Sequence, residues 1–163
     1  MEAEAVNPRL PKFIWAALIY FALSLIIGAL ISQQPIRVFV EAGPGHIISV
    51  VKTHMGLMGW MSLALMAAVY YFVPILSGKS IVKPKLIDWI FWIYVVCSAL
   101  TCIFMLIAGV IGGQAFAAGV KDPQLTAIVM PYAMPGMILC TIAAIVGLIF
   151  VVQVLVSLSR KGS

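Results

Sequence analysis

The sequence has few charged residues for its length. Only 9% of its 163 residues are Asp, Glu, Lys or Arg, whereas 64% are hydrophobic. A soluble domain has about 25% charged residues and about half apolar ones, so these values exclude an ordinary soluble protein. The mean hydropathy of +1.16 agrees with this conclusion. We therefore expect an integral membrane protein in contact with the lipid bilayer.

Clusters of basic residues and of metal-binding cysteines are also missing. Ten Lys and Arg residues outnumber five Asp and Glu residues, but they lie in the gaps between apolar runs. Nucleic-acid binding needs clustered basic charge on a water-exposed surface, so no nucleic-acid partner is expected. Cys97, Cys102 and Cys140 lie in apolar segments without a CxxC spacing. We expect them to pack as small apolar side chains.

Four apolar runs are long enough to cross a bilayer, which takes about 20 helical residues. They cover about residues 13–32, 47–76, 86–112 and 125–158. We expect the first run to be retained, because a cleaved signal peptide has a shorter apolar core followed by a small-residue cleavage site. The sequence thus predicts an all-α integral membrane protein. Its single domain, residues 1–163, is expected to be an antiparallel bundle of four transmembrane helices.

The basic residues beside the runs predict the orientation, because Lys and Arg are retained on the cytoplasmic side. The side with both termini and the middle loop has seven: Arg9, Lys12, Lys79, Lys83, Lys85, Arg160 and Lys161. The opposite side has three: Arg37, Lys52 and Lys121. We therefore expect cytoplasmic termini, in a prokaryotic inner membrane.

Polar groups inside the runs are rare. No Asp or Glu lies within a run interior, which disfavours acid–base hydrolysis and an ion transporter that needs an intramembrane carboxylate. His46 and His54 are the two histidines. An ionisable group within a bilayer marks a functional site by default, although His54 has a simpler interpretation as an interfacial residue bonded to a helix or headgroup. For His46, after a Gly-Pro-Gly turn, we expect a solvated position.

The spacing of the histidines limits how they can bind a metal. They are eight positions apart, a rise of about 12 Å in a helix, which is too far for both to ligate one iron. Methionine is a further candidate ligand. Met130, Met134 and Met137 follow one another near the outer end of the fourth run, where Pro131 and Pro135 predict a kink. Packing is the simpler role for these methionines.

The second run has a more specific pattern. It contains His54, Gly59-Trp60, Ala67-Ala68 and Tyr70-Tyr71-Phe72-Val73-Pro74. This pattern resembles the second transmembrane helix of subunit I in the heme-copper oxidase superfamily, especially the nitric-oxide reductase large subunit. The likeness extends more weakly to the first run and to Trp89–Trp92, and thus covers the N-terminal helices of that subunit.

The resemblance implies that His54 is the metal-binding residue, an axial ligand of a low-spin heme b. Trp60, from the matching Gly-Trp pair, is also expected at the cofactor. Val51 stands where family members often have Arg, so Arg37 and Lys52 become the candidates for contact with the heme propionates. The chain lacks the further histidines of the family's binuclear site, so the enzyme activity is not carried over.

The family also suggests where the second axial ligand of the iron comes from. The twelve helices of its large subunit resemble three groups of four, and a different group supplies the second ligand of the low-spin heme. A homo-oligomer, either a dimer or a trimer, or another respiratory-complex subunit would supply it here. Three functions stay open. The first is a heme b electron-transfer protein working with a quinone or a cytochrome c. The others are a heme-free accessory or assembly subunit of a respiratory complex and a small transporter or channel.

Overall fold

The computed structural model describes residues 7–160. Lys161, one of the seven residues in the charge count, therefore lies outside the described residues, as do the ends of the predicted domain. Helices make up 85% of the structure, and residues 7–160 contain no β-strand. The predicted all-α class is confirmed.

Six α-helices, a 3-10 turn and a π-helical segment form the described part of the chain. They are α1 (Pro11–Ile31), α2 (Ile36–Glu41), the 3-10 turn Gly43–Gly45, α3 (His46–His54), the π segment Met55–Met61, α4 (Ser62–Ser77), α5 (Lys85–Ala117) and α6 (Gln124–Ser159). From the 3-10 turn to the end of α4 the helix is continuous, and with α1, α5 and α6 it gives four helices long and apolar enough to cross a membrane. The structure therefore has four helices of the expected length and apolar composition, as is typical of a multi-pass membrane protein.

Proline and glycine mark several helix ends. Pro11 begins α1, and Pro84 and Pro123 directly precede α5 and α6. Proline fits the first turn of a helix because the N–H that it lacks has no intrahelical partner there. Gly78 ends α4 in the left-handed conformation, with φ of +64°, which glycine adopts without a steric penalty. Helix α6 continues through Pro131 and Pro135. Membrane helices tolerate proline because neighbouring groups can bond the backbone carbonyls that it leaves free.

Aromatic side chains connect the four long helices near one end of the molecule. Phe13 of α1 is fully buried, and its ring centroid lies 4.8 Å from that of Phe91 on α5. The Tyr70 ring on α4 lies 6.0 Å from Phe13 and 5.1 Å from Phe150 on α6. The two pairs of Tyr70 are edge-to-face, and such pairs add attraction beyond simple burial. The core at this end therefore includes a residue from each long helix.

A buried glutamine fixes the connection between α4 and α5. Gln153 of α6 is 5% exposed, and its Oε1 accepts a 2.7 Å hydrogen bond from the Tyr70 hydroxyl. Its Nε2 donates to the carbonyls of Val82 at 2.7 Å and Lys83 at 3.2 Å. Ser157 accepts a bond from the Val82 N–H at 3.0 Å. Because buried polar groups are costly without partners, this network determines the path of the loop.

Charged side chains also connect the helices at this end of the molecule. The carboxylate of Asp88, in the first turn of α5, accepts bonds from Arg9 at 2.8 Å and from Lys12 of α1. Lys79, just after α4, donates to the Leu158 carbonyl of α6 at 2.9 Å. The starts of α1 and α5 therefore lie together, and the ends of α4 and α6 are joined there by Lys79.

The Gln153 network can be tested with a double-mutant cycle. Tyr70→Phe leaves Oε1 of Gln153 without its donor, so we expect the free energy of unfolding to fall by about 1–3 kcal/mol. Gln153→Leu should cost at least as much, and the double variant less than the sum, because both changes remove the same bond. The measurement is equilibrium unfolding in detergent micelles. The control is Thr141→Ala, which removes an exposed hydroxyl bonded to Met137 of its own helix. Additive losses of stability in the Tyr70 and Gln153 variants would contradict the network.

Candidate functional site

His54 is the last residue of α3 and is half-buried. Its Nδ1 lies 2.9 Å from the carbonyl oxygen of Val50, one turn earlier. A carbonyl can only accept a hydrogen bond, so Nδ1 must carry the proton. In the neutral ring, Nε2 then has the free lone pair. Metal-binding histidines are oriented in this way, with one nitrogen bonded to a backbone carbonyl or carboxylate and the other at the metal.

Nε2 of His54 has no hydrogen-bond partner anywhere in residues 7–160. In the neighbouring hydroxyl side chains, by contrast, the single polar atom is already bonded to a backbone carbonyl. Ser24 donates to the Lys52 carbonyl at 3.2 Å, and Thr53 donates to the Ser49 carbonyl at 3.3 Å. The His54 ring is thus held in one orientation by the Val50 carbonyl, with the lone pair of Nε2 unused.

A π-helical segment begins directly after His54 and continues to Met61. Short π-helical segments are uncommon and often occur at functional sites. The wider turn leaves the Leu57 carbonyl bonded to the N–H of Ser62, five residues later, and the Ser62 hydroxyl donates to the same carbonyl at 2.9 Å. Sequence periodicity did not predict this segment, because apolar residues and glycines fit α and π geometry equally well.

Helix α1 packs tightly against the π segment. Gly59 is buried, and a Cβ atom at this position would lie 2.3 Å from the ring of Tyr20. The Tyr20 hydroxyl in turn donates to the Val95 carbonyl of α5 at 3.0 Å. The π segment is therefore held in place by α1, which is itself bonded to α5. The glycine at position 59 could have indicated this close approach, because small residues let helices pack closely in lipid.

Trp60 lies within the π segment and is half-buried. Its ring centroid is 4.7 Å from that of Phe21 on α1. Trp60 is therefore part of the packing between α1 and the π segment, six positions beyond His54 in the chain. Its expected contact with a cofactor stays a prediction.

The two predicted propionate partners are held in different ways. Lys52 is exposed and lies two positions before His54. Its side chain lies over Gly28 of α1, and a Cβ atom added to Gly28 would be 3.1 Å from Cε of Lys52. Arg37 is on the short helix α2, and its Nε bonds to Glu41 at 2.7 Å. This carboxylate raises the pKa of the fully exposed Arg37. Lys52 is the cation on the same helix as His54, while the charge of Arg37 already has a partner.

His46 occupies the first turn of α3 and is exposed. Its Nδ1 lies 2.8 Å from the Gly43 carbonyl, and it lines a cavity of about 500 Å³ together with Asp122. The expected contact of His46 with water stays a prediction. Within residues 7–160, no group of three or more His, Cys, Asp or Glu side chains could hold a metal ion.

Some methionines lie between helices, and others line the surface of α6. Met58, one turn after His54, has its Sδ 3.9 Å from Sγ of Cys140 on α6. Met130 and Met134 line an open groove of about 630 Å³ on α6, together with Pro131 and Pro135. Met58 therefore connects the π segment to α6.

No protein-family model matches the chain, and no curated protein matches it either. The resemblance to the heme-copper oxidase superfamily therefore stays a prediction from the residues of the second span.

The close contact between Gly59 and Tyr20 predicts a position-specific cost. Gly59→Ala should lower the free energy of unfolding by about 1–3 kcal/mol, because the added methyl group overpacks a filled interface. Gly147→Ala is the matched control on α6, since a Cβ atom there meets nothing within 4 Å. It should be neutral or stabilising, because Ala favours helices over Gly. Denaturant unfolding in micelles compares the two, and equal effects would show that the contact is unimportant.

Proposed function

We propose that this protein is a membrane heme b-binding electron-transfer protein in which His54 is an axial ligand. One observation carries the proposal: the bond from Nδ1 to the Val50 carbonyl leaves Nε2 with a free lone pair at a half-buried position. Histidine is a common axial ligand of electron-transfer hemes. The resemblance of the second span to heme-copper oxidases gives independent support.

One chain offers a single suitable histidine, which fits a heme whose second axial ligand comes from another polypeptide. The iron of an electron-transfer heme usually has two axial side chains, and His46 lies eight positions from His54, a helical rise of about 12 Å. His54 is only half-buried, so part of its side chain is exposed for contact with a neighbouring chain. We propose that His54 of a second protomer supplies the other ligand in a dimer. A trimer or a subunit of a respiratory complex is the alternative source.

A heme bound here would supply a one-electron carrier inside the membrane. The residues of the chain have separate parts in this proposal. Val50 orients the imidazole, and the contact between Gly59 and Tyr20 fixes the helix segment beyond it. Lys52, the cation closest to His54 in the sequence, is the candidate for contact with a propionate. The redox partner is proposed to be a quinone or a cytochrome c. A reduction reaction needing a binuclear metal centre is not proposed.

We also propose that the four long helices form an antiparallel bundle with cytoplasmic termini, in a prokaryotic inner membrane. The contacts of Asp88 with Arg9 and Lys12, and of Lys79 with the Leu158 carbonyl, support a common end for these segments. The excess of basic residues at this end supports its cytoplasmic location.

Replacement of His54 tests the proposal. The purified wild-type protein, produced in cells that make heme, should show the Soret and α bands of a low-spin b heme after reduction. His54→Ala should lose these bands while the chain still inserts in the membrane, because the iron loses a ligand from each protomer. His46→Ala is the matched control and should keep the full spectrum.

Two outcomes contradict the proposal. The first is a wild-type protein without a Soret band, which would favour a heme-free accessory or assembly subunit. The second is a His54→Ala spectrum equal to that of the wild type, which would place the ligand elsewhere. Immunoblots of membrane fractions separate loss of heme from loss of the protein.

A further inference from the structure

An apolar groove lies between the start of α5 and the last third of α6. Its volume is about 350 Å³, and its walls include Leu86, Ile145, Leu148, Ile149, Val152 and Val156. Most of these side chains are exposed in the chain, with Leu148 at 65% and Val152 at 58%. A surface of this kind, in a helix long enough to cross the membrane, is suited to an acyl chain that lies along it.

A basic rim closes one end of the groove. Lys83 is part of the groove lining and is exposed, as is its neighbour Lys85. Within residues 7–160, neither lysine forms an ion pair. The described residues at this end include six bases: Arg9, Lys12, Lys79, Lys83, Lys85 and Arg160. They include one acid, Asp88, which is already bonded to Arg9 and Lys12.

Lys83 is held in an unusual backbone conformation. Its φ is +51°, a left-handed value that residues other than Gly, Asn and Asp adopt rarely. Such strain persists only where the surrounding structure fixes it. Here the Lys83 carbonyl accepts bonds from Gln153 at 3.2 Å and from the Leu86 N–H at 2.8 Å. The loop is therefore preorganised, and the backbone of Lys83 is fixed at the rim by bonds to both helices of the groove.

From these observations we infer that the groove binds an anionic phospholipid, with one acyl chain between α5 and α6 and the phosphate at Lys83. Basic pockets between transmembrane helices are known to bind anionic headgroups. The charge of the rim also argues against a second copy of the chain as the occupant. A symmetric contact through this face would bring two basic ends together, and like charges at close range repel.

Lipid binding to the purified full-length protein tests the headgroup part of the inference. Native mass spectrometry in neutral detergent would compare added phosphatidylglycerol with phosphatidylcholine. We expect phosphatidylglycerol to bind more tightly, and Lys83→Asn to weaken it about fivefold, the effect of one interfacial lysine. Asn removes the charge and tolerates the left-handed conformation. Lys121→Asn, an exposed lysine in the connection from α5 to α6, is the control and should change binding less than twofold.

A second pair of variants tests the acyl chain. Val152→Phe fills the groove and should weaken the binding of phosphatidylglycerol, whereas Val151→Phe, at an exposed neighbour outside the lining, should not. Equal binding of the two lipids, or equal effects within either pair of variants, would overturn the inference. The site is independent of the proposed heme, so His54→Ala should leave lipid binding unchanged.

Discussion

The need to satisfy polar groups inside a hydrocarbon layer is the constraint on which this structure depends. Unpaired polar groups cost several kcal/mol in lipid. Of the buried polar side chains in residues 7–160, those of Thr101, Gln153 and Ser157 are bonded, whereas the Ser98 hydroxyl is not. Tyr20 donates to the Val95 carbonyl, Thr101 to the Gly136 carbonyl, and Tyr70 to Gln153. Each of these bonds connects two long helices. Against this background, Nε2 of His54 has no hydrogen-bond partner within residues 7–160, and our proposal assigns it to a ligand.

Composition and run length were sufficient to predict the class of the fold. The four apolar spans follow directly from bilayer thickness, and prolines and a glycine mark their ends. The π segment, the left-handed Lys83 and the buried network of Gln153 were not predictable in this way. They depend on long-range contacts, such as that between Tyr20 and Gly59, and a single sequence has no local signal for the partner of a buried polar group.

The candidate site was predictable in part, for a similar reason. His54 was apparent because titratable residues are so scarce in the spans, but its bond to Val50 and the orientation of its ring required the structure. Trp60 packs against Phe21, and Arg37 pairs with Glu41, so the structure gives each of them a contact that the sequence did not indicate. Lys52 is on the same helix as His54, with its side chain over Gly28. The source of a second ligand for the proposed heme stays a prediction.

The most direct test of the central claim is the ratio of heme to protein in the purified oligomer, from the pyridine hemochrome spectrum and amino-acid analysis. If one imidazole from each of two protomers binds the same iron, the ratio is about one heme per two chains. A ratio near one heme per chain would contradict an iron shared between two protomers. A ratio near zero would contradict the account altogether.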